Sequence, residues 1–209
     1  MQKESLNKAV DFISRKMDEK CLYLVELDQQ NGDGDLGISM KEGFAAARHF
    51  LSNTDEKDLG RLMMGMSGTF NEAAPSSLGT ILSIGMMGMA KALKGKEEVS
   101  VKETADAFRS GLEKIMEKAG SMPGEKTILD ALYPASEALK EHASEEPAKA
   151  YESAAEAAKK GAESTRMMLS RHGRAAYYGE KSLGILDGGA AAGQLIFEAI
   201  KESVCSNSY

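Results

Sequence analysis

SVKETADAFRSGLEKIMEKA, residues 100–119, is the stretch from which the rest of the chain can be read. Ser100 and Glu103 have the spacing of a capping box, in which hydroxyl and carboxylate each satisfy a backbone amide left over at a helix start. Behind it, Val101, Ala105, Phe108, Leu112, Ile115 and Ala119 recur in alternating steps of four and three, which is one apolar helix face. Working outward, the same period returns on both sides. Toward the N-terminus, Ser77 to Leu93 is a Met-rich helix expected to be buried, and Asp55 to Met66 suggests a short one. Ile38, Met40, Phe44, Ala47 and Leu51 make another, and Leu6, Ala9, Ile13, Met17 and Leu24 a first helix of five or six turns that ends before Asn31. Toward the C-terminus, Thr127 begins a helix that Pro134 should kink or break. Ala148, Tyr151, Ala155, Ala158, Ala162 and Met168 define a long Ala-rich helix, small enough in side chain for close approach, that stops near His172. The last helix starts at Asp187 as N-cap and runs to about Ser203. That is about eight helices.

Composition agrees. The chain has 209 residues, with 28 Ala and 13 Met against 5 Val, 9 Ile and 6 Thr, a balance that favours helix over strand. We expect an all-α fold in a single domain spanning residues 1–209, since no repeat or disordered linker divides the chain. A net charge of −6, without a basic block and with few aromatics, excludes nucleic acid as a partner. The most apolar stretch, Ile81 to Leu93, contains Lys91 and falls short of the roughly 20 residues a membrane span requires, so no membrane partner is expected. Two cysteines and the lack of a leader-like start point to a reducing, cytoplasmic setting. The 21 glycines are unusual for a helical chain and imply that loops carry a job.

The densest chemistry lies in LDQQNGDGDLG, residues 27–37. Asp28, Asp33 and Asp35 fall within eight residues, and unit charges roughly 5 Å apart repel by about 3 kcal/mol at an effective dielectric of about 20. Hard divalent cations with oxygen ligands offset such repulsion, while a solvated Asp-Gly turn is the plainer alternative. Gly32, Gly34 and Gly37 also fit G-x-G-x-x-G, but Asp33 and Asp35 would face the pyrophosphate and the chain lacks alternating strands. A calcium loop from Asn31 fails because Leu36 stands where that loop turns on glycine. A second segment runs from Gly173-Arg174 to Asp187-Gly188-Gly189. Its arginine, its glycines and a helix N-terminus can cradle phosphates, or can simply cap and connect helices. Gly124 to Thr127 and Gly179 to Ser182 resemble the end of a P-loop, yet an extra residue separates glycine from lysine in both. Ala74 to Thr80 places hydroxyls at a helix start, where capping explains them equally well. Met86, Met87 and Met89 read as core filling, and His49, His142 and His172 receive no catalytic role.

Taken in order, LDQQNGDGDLGISM, PSSLGTIL, PGEKTILDALYPA and SRHGRAAYYGEKSLGILDGGAAAG resemble the nucleotide-binding L subunit of dihydroxyacetone kinases along nearly the whole chain. The resemblance implies a barrel of eight antiparallel helices. It also implies that Asp28, Asp33 and Asp35 hold two Mg²⁺ ions that bridge the phosphates of ADP or ATP. Leu36, Gly37, Ile38 and Ser39, with Ser77 and Leu78, match positions around those phosphates, and Gly79 is a further expected nucleotide-binding residue. Gly120 and Ile128 match the adenosine side, Thr127 is a further expected nucleotide-binding residue, and Asp187, Gly188 and Gly189 match the closing loop. Arg174 matches a nucleotide-contacting arginine and is the expected catalytic residue. The implied partners are a sugar-binding K-type subunit that holds a small keto-sugar and, in some relatives, a phosphotransferase-system protein as phosphoryl donor. The family usually has His where this chain has Leu36, a Gly-Gly-Ser-Ser-Gly type turn where it has Pro75 to Gly79, and Asp-Pro-Gly where it has Asp187 to Gly189. Leu36 and Ser77 motivate the alternative of a non-catalytic nucleotide-sensing regulator or adaptor on the same fold.

Overall fold

In the computed structural model, which describes residues 1–206, the Ser100 capping box forms as its spacing predicts. The Glu103 amide donates to Ser100 Oγ at 3.2 Å, and the Ser100 amide donates to the Glu103 carboxylate at 2.9 Å. The helix it opens is one of nine among the described residues: α1 (Lys3–Glu19), α2 (Cys21–Asp28), α3 (Leu36–Ser52), α4 (Leu59–Ala73), α5 (Ser77–Leu93), α6 (Val101–Ala119), α7 (Leu129–Glu141), α8 (Pro147–Ser164) and α9 (Gly188–Cys205). Two 3₁₀ segments, Thr165–Met167 and Arg174–Ser182, occupy the long connection before α9. No strand occurs among the described residues, and a lone bridge pairs Gln2 with Glu98. The fold is all-α.

From α3 to α9 each helix packs on the next, and α1 closes the ring by packing between α9 and α3. Eight staves result, with α2 lying mainly against α3. Successive staves run antiparallel, through short connections apart from the long one between α8 and α9, so the loops sort to two ends. One end gathers the chain start with residues 53–58 and 94–100: the Val99 amide donates to Met1 O at 2.9 Å, the Leu59 amide to Lys96 O at 2.8 Å, and Lys3 reaches Thr54 O. The other end receives residues 29–35, 74–76, 120–128 and 165–187, which contain every candidate site residue except Asp28, at the end of α2, and those in the first turns of α3, α5 and α9. The interior is lined by residues such as Leu6, Val10, Met63, Met86, Phe108 and Ile196 around an apolar cavity of about 350 Å³.

Some staves touch through backbone. A methyl group added at Gly88 of α5 would sit 2.6 Å from the Ser110 carbonyl oxygen of α6, and one at Gly111 would sit 2.7 Å from that of Gly85. Between α7 and α8 the cause is local. Pro134 sits inside α7 without ending it, and its missing N–H leaves the Asp130 carbonyl without its usual i+4 donor. That oxygen faces Gly161 of α8, where an added Cβ would lie 2.0 Å away.

Several expected boundaries move. The first helix is broken at Lys20, where ψ is 8°, although hydrogen bonds from Lys20 to Lys16 and from Leu24 to Lys20 span the bend. The short third helix starts at Leu59 rather than Asp55, because the Asp58 carboxylate captures the amides of Gly60 and Arg61. The Ala-rich helix ends at Ser164, well before His172, and Met168 is already extended. Met86 and Met89 fill the core as expected, whereas Met87 is exposed.

Candidate functional site

The aspartate loop folds upon Asp28, the last residue of α2. The Asp28 carbonyl accepts the Asn31 and Gly32 amides, and its carboxylate accepts the Gly34 amide at 2.7 Å. Gly34 has φ of 80°, which turns the chain back so that Asp33 and Asp35 project beside Asp28. One carboxylate oxygen from each of the three aspartates lies within 4.8 Å of the other two. Asp35 stands at the N-cap position of α3 but makes no side-chain capping bond, so its carboxylate remains committed to the cluster. Burial, then the neighbouring Asp33 and Asp28 carboxylates, raise its pKa above the ordinary range. Three hard oxygen donors crowded in this way fit a divalent cation such as Mg²⁺.

Arg174 supplies the compensating charge from across the site, its Nη2 lying 2.8 Å from Asp33 Oδ2. It opens the second 3₁₀ segment and its side chain is 70% exposed, so the guanidinium is accessible as well as paired. Leu36, Gly37 and Ile38 begin α3 ahead of its first internal acceptor, and their amides point to the positive end of the helix dipole. The Ser39 amide is already bonded to Asp35 O at 2.9 Å. Leu36, Gly37 and Ser39 are buried and Ile38 is exposed. Gly37 lets α3 lie on α2, since a Cβ there would come within 2.1 Å of the Cys21 carbonyl oxygen.

The start of α9 joins this group. Asp187 caps it by accepting the Ala190 amide at 2.8 Å, and burial pushes the Asp187 carboxyl up to about 6. A Cβ on Gly188 would sit 2.7 Å from Leu36 Cδ2, and one on Gly189 would sit 3.2 Å from the Ile128 nitrogen. The first turns of α3 and α9 and the residue preceding α7 therefore converge. Thr127 uses its hydroxyl to accept the Leu129 amide at 3.2 Å and its own amide to donate to Asp130, so both serve the α7 start. Gly120 is the left-handed C-cap of α6, with φ of 66°. At α5 the capping hydroxyl belongs to Ser76, which accepts the Gly79 amide at 3.1 Å. Ser77 is exposed, and Leu78 is partly buried against the core. The structure thus brings together Asp28, Asp33, Asp35, Leu36, Ile128, Arg174, Asp187, Gly188 and Gly189. Gly79 and Gly120 serve in helix caps of α5 and α6.

Sequence reasoning passed over the residues that tie these loops to one another. Lys126, buried and with φ of 62°, donates from Nζ to the carbonyls of Thr165, Met168, Ser182 and Ile185 at 2.9, 3.3, 2.6 and 2.7 Å. Asp130, also buried, gathers the amides of Gly124 and Thr127 at 2.5 and 2.7 Å. His172 meets Glu125 at 2.6 Å and the pairing lowers the Glu125 pKa. The available signal was Gly124-Glu-Lys-Thr127, whose lysine fails the P-loop spacing.

The DAK2 domain matches residues 30–202. Among curated proteins, the chain is 30% identical to the PEP-dependent dihydroxyacetone kinase, ADP-binding subunit DhaL of Escherichia coli, over 81% of this chain and 82% of that one. It is 29% identical to the L-erythrulose kinase of Pectobacterium atrosepticum, over 98% of this chain but only 35% of that enzyme. Among solved structures it superposes with a TM-score of 0.76 and 25% identity on the dihydroxyacetone kinase from C. freundii in complex with AMP-PNP and Mg²⁺, covering 94% of this chain and 33% of that one.

Proposed function

We propose, from the premise that this chain belongs to the DAK2 domain family, that it is the Mg–ADP/ATP-binding subunit of a dihydroxyacetone-kinase-like enzyme. It supplies the phosphoryl group to a small keto-sugar held by a separate sugar-binding K-type subunit. The observation that carries this reading is the cluster of Asp28, Asp33 and Asp35 within 4.8 Å, bridged to Arg174. The extent of the match to the Escherichia coli ADP-binding subunit supports it, covering 82% of that protein. The relatives' names include a dihydroxyacetone and an L-erythrulose kinase, which supports an acceptor among small keto-sugars. We place the protein in the cytoplasm, and no helix among the described residues is long and apolar enough to cross a membrane.

In this reading the three aspartates would hold Mg²⁺, two ions by the family resemblance. Bound there, the metal supplies neutralisation and anchoring of polyphosphate charge. The chain's own groups do the rest. Arg174 exchanges its Asp33 partner for phosphate oxygens and follows negative charge as it shifts toward the leaving group. The first-turn amides of α3 and the start of α9 present donors and the positive ends of helix dipoles to the same anion. Ile128, matched to the adenosine side by the family resemblance, is 2% exposed and packed beside Gly189, so it would act by shaping the wall from behind rather than by presenting open surface. No side chain of this chain is needed to activate the acceptor hydroxyl, which comes from the partner subunit.

Calorimetric titration with ADP and ATP, with and without Mg²⁺, tests the reading. Mg²⁺-dependent binding that Asp33→Ala abolishes is the expected result. Binding that is absent, or indifferent to Asp33→Ala, overturns it. Reconstitution with a K-type subunit then separates enzyme from regulator: nucleotide binding without transfer to any keto-triose or keto-tetrose would favour the regulator. Exchange of bound ADP for ATP, against rephosphorylation in place by a phosphotransferase-system protein, identifies the donor.

A further inference from the structure

The segment carrying Arg174 is long, mostly 3₁₀ or irregular, and exposes Met167, Leu169, Tyr177, Tyr178 and Leu183. Little apolar burial holds it. Internal bonds, such as the Ser170 amide to Ser182 Oγ and the Gly184 amide to Arg166 O, close it on itself. Three side-chain pairs, Glu163–Arg166, Glu125–His172 and Asp33–Arg174, touch it at exposed or partly exposed positions. Lys126 differs in kind. Its ammonium is buried and reaches the carbonyls of Thr165 and Met168 at one foot of the segment and of Ser182 and Ile185 at the other.

An ammonium has three donors, so the four carbonyls at 2.6 to 3.3 Å exhaust its capacity, with one donor shared. A buried cation is tolerated only where its hydrogen bonds are made, so the two feet have to be in place together for the charge to be accommodated. Lys126 also holds a left-handed backbone, at φ of 62°, which is unfavourable for a lysine and persists where surroundings over-determine it. The Asp130 carboxylate does so by fixing the amides on both sides of Glu125-Lys126.

We propose that Lys126 is the positioning residue of the arginine segment: by clamping residues 165–168 to residues 182–185 it presents Arg174 to the aspartate cluster and to the nucleotide phosphates. The second half of that statement rests on the nucleotide-site reading, and the first does not. Lys126 touches neither reacting group and acts through Arg174.

Two measurements on the full chain test it. The first is hydrogen exchange of the nucleotide-free protein. Lys126→Met should lose protection over residues 169–181 while α3, α6 and α9 keep theirs. Unchanged exchange in that segment overturns the clamp. So does loss of protection throughout the chain in both Lys126→Met and the milder Lys126→Gln, which would mark a merely structural cation. The second is a double-mutant cycle on the Kd for Mg–ADP. Lys126→Met should weaken binding about tenfold in the wild-type background, the scale of one charge-assisted contact, and by less than twofold in the Arg174→Met background. Multiplicative effects would show that Lys126 does not act through Arg174. A wild-type chain that binds no Mg–ADP would refute the nucleotide reading instead, and the exchange experiment would still decide the clamp.

Discussion

Replacing Asp35 by Asn should make the metal-free protein more stable and the ligand-bound protein less so. Asp35 carries no capping bond that the amide would lose, so the substitution acts on charge. It removes repulsion from Asp28 and Asp33, whose oxygens lie within 4.8 Å, and forfeits a weaker attraction to Arg174. At that separation each pair is worth about 0.9 kcal/mol at the dielectric of water and about 3.5 kcal/mol at an effective value of about 20. Asp33 and Asp35 are exposed, so the lower figure governs, and two repulsions against one attraction leave a gain of about 1 kcal/mol. For a chain of this length that is a rise in Tm of about 2–4 °C. The sign with pH is fixed. Because the folded-state pKa of Asp35 is raised, its ionised form is penalised, and the advantage of Asp35→Asn should close as pH falls through that pKa and the wild-type carboxyl takes up a proton. Molar salt should shrink the gap too. With Mg–ADP at about a hundred times its Kd, ligand binding adds about 2.7 kcal/mol to the wild type, and the order should invert. Thermal unfolding at pH 7 with chelator, then with Mg–ADP, reads both halves. A metal-free Asp35→Asn chain that melts below the wild type would refute the view that the cluster is held against its own repulsion.

Asp187→Asn keeps a capping oxygen but removes a charge whose pKa is raised from 3.8 to about 6 by burial. The penalty is absent below the unfolded value and complete above the folded one, so the variant should exceed the wild type by up to about 3 kcal/mol at pH 7.5, the difference vanishing toward pH 4 in urea titrations. Ser100→Ala breaks the capping box at the end of the barrel away from the site, and should cost about 1 kcal/mol in denaturant unfolding while leaving nucleotide affinity unchanged. Gly161→Ala would drive a methyl group to 2.0 Å from the Asp130 carbonyl oxygen. A loss of about 2 kcal/mol or more in urea unfolding is expected, and a silent substitution would disprove the backbone contact between α7 and α8.

What could be read from the residues alone was what depends on neighbours in sequence. Ser100 and Glu103 sit three apart, Ser77 to Leu93 is bounded by a capping serine and a polar link, and Asp187 precedes the amide it accepts; all three helix ends stand where their local chemistry puts them. The aspartates of residues 28–35 were legible for the same reason, since one loop supplies them all. The bend at Lys20 was not, because no proline or glycine marks it and the hydrogen bonds continue across it. Leu36 against Gly188 joins residues far apart in the chain and leaves no pattern in either segment. Lys126 is the extreme case: its partners are backbone carbonyls 39 to 59 residues away, which carry no side-chain signature at all.

The glycine seam between α5 and α6 has a consequence for how such a chain can drift. Where side chains interdigitate, a changed residue is absorbed by rotamer adjustments around it, and neutral variation accumulates. At Gly88 and Gly111 the neighbour is a carbonyl oxygen at 2.6 or 2.7 Å from any added Cβ, and a peptide has no rotamer to change. Comprehensive substitution scanning should therefore give a divided profile along α5, with Met87 tolerant and Gly88 beside it close to intolerant. Descendants of this chain can vary the lining of the barrel freely, but they inherit the spacing of these two staves unchanged.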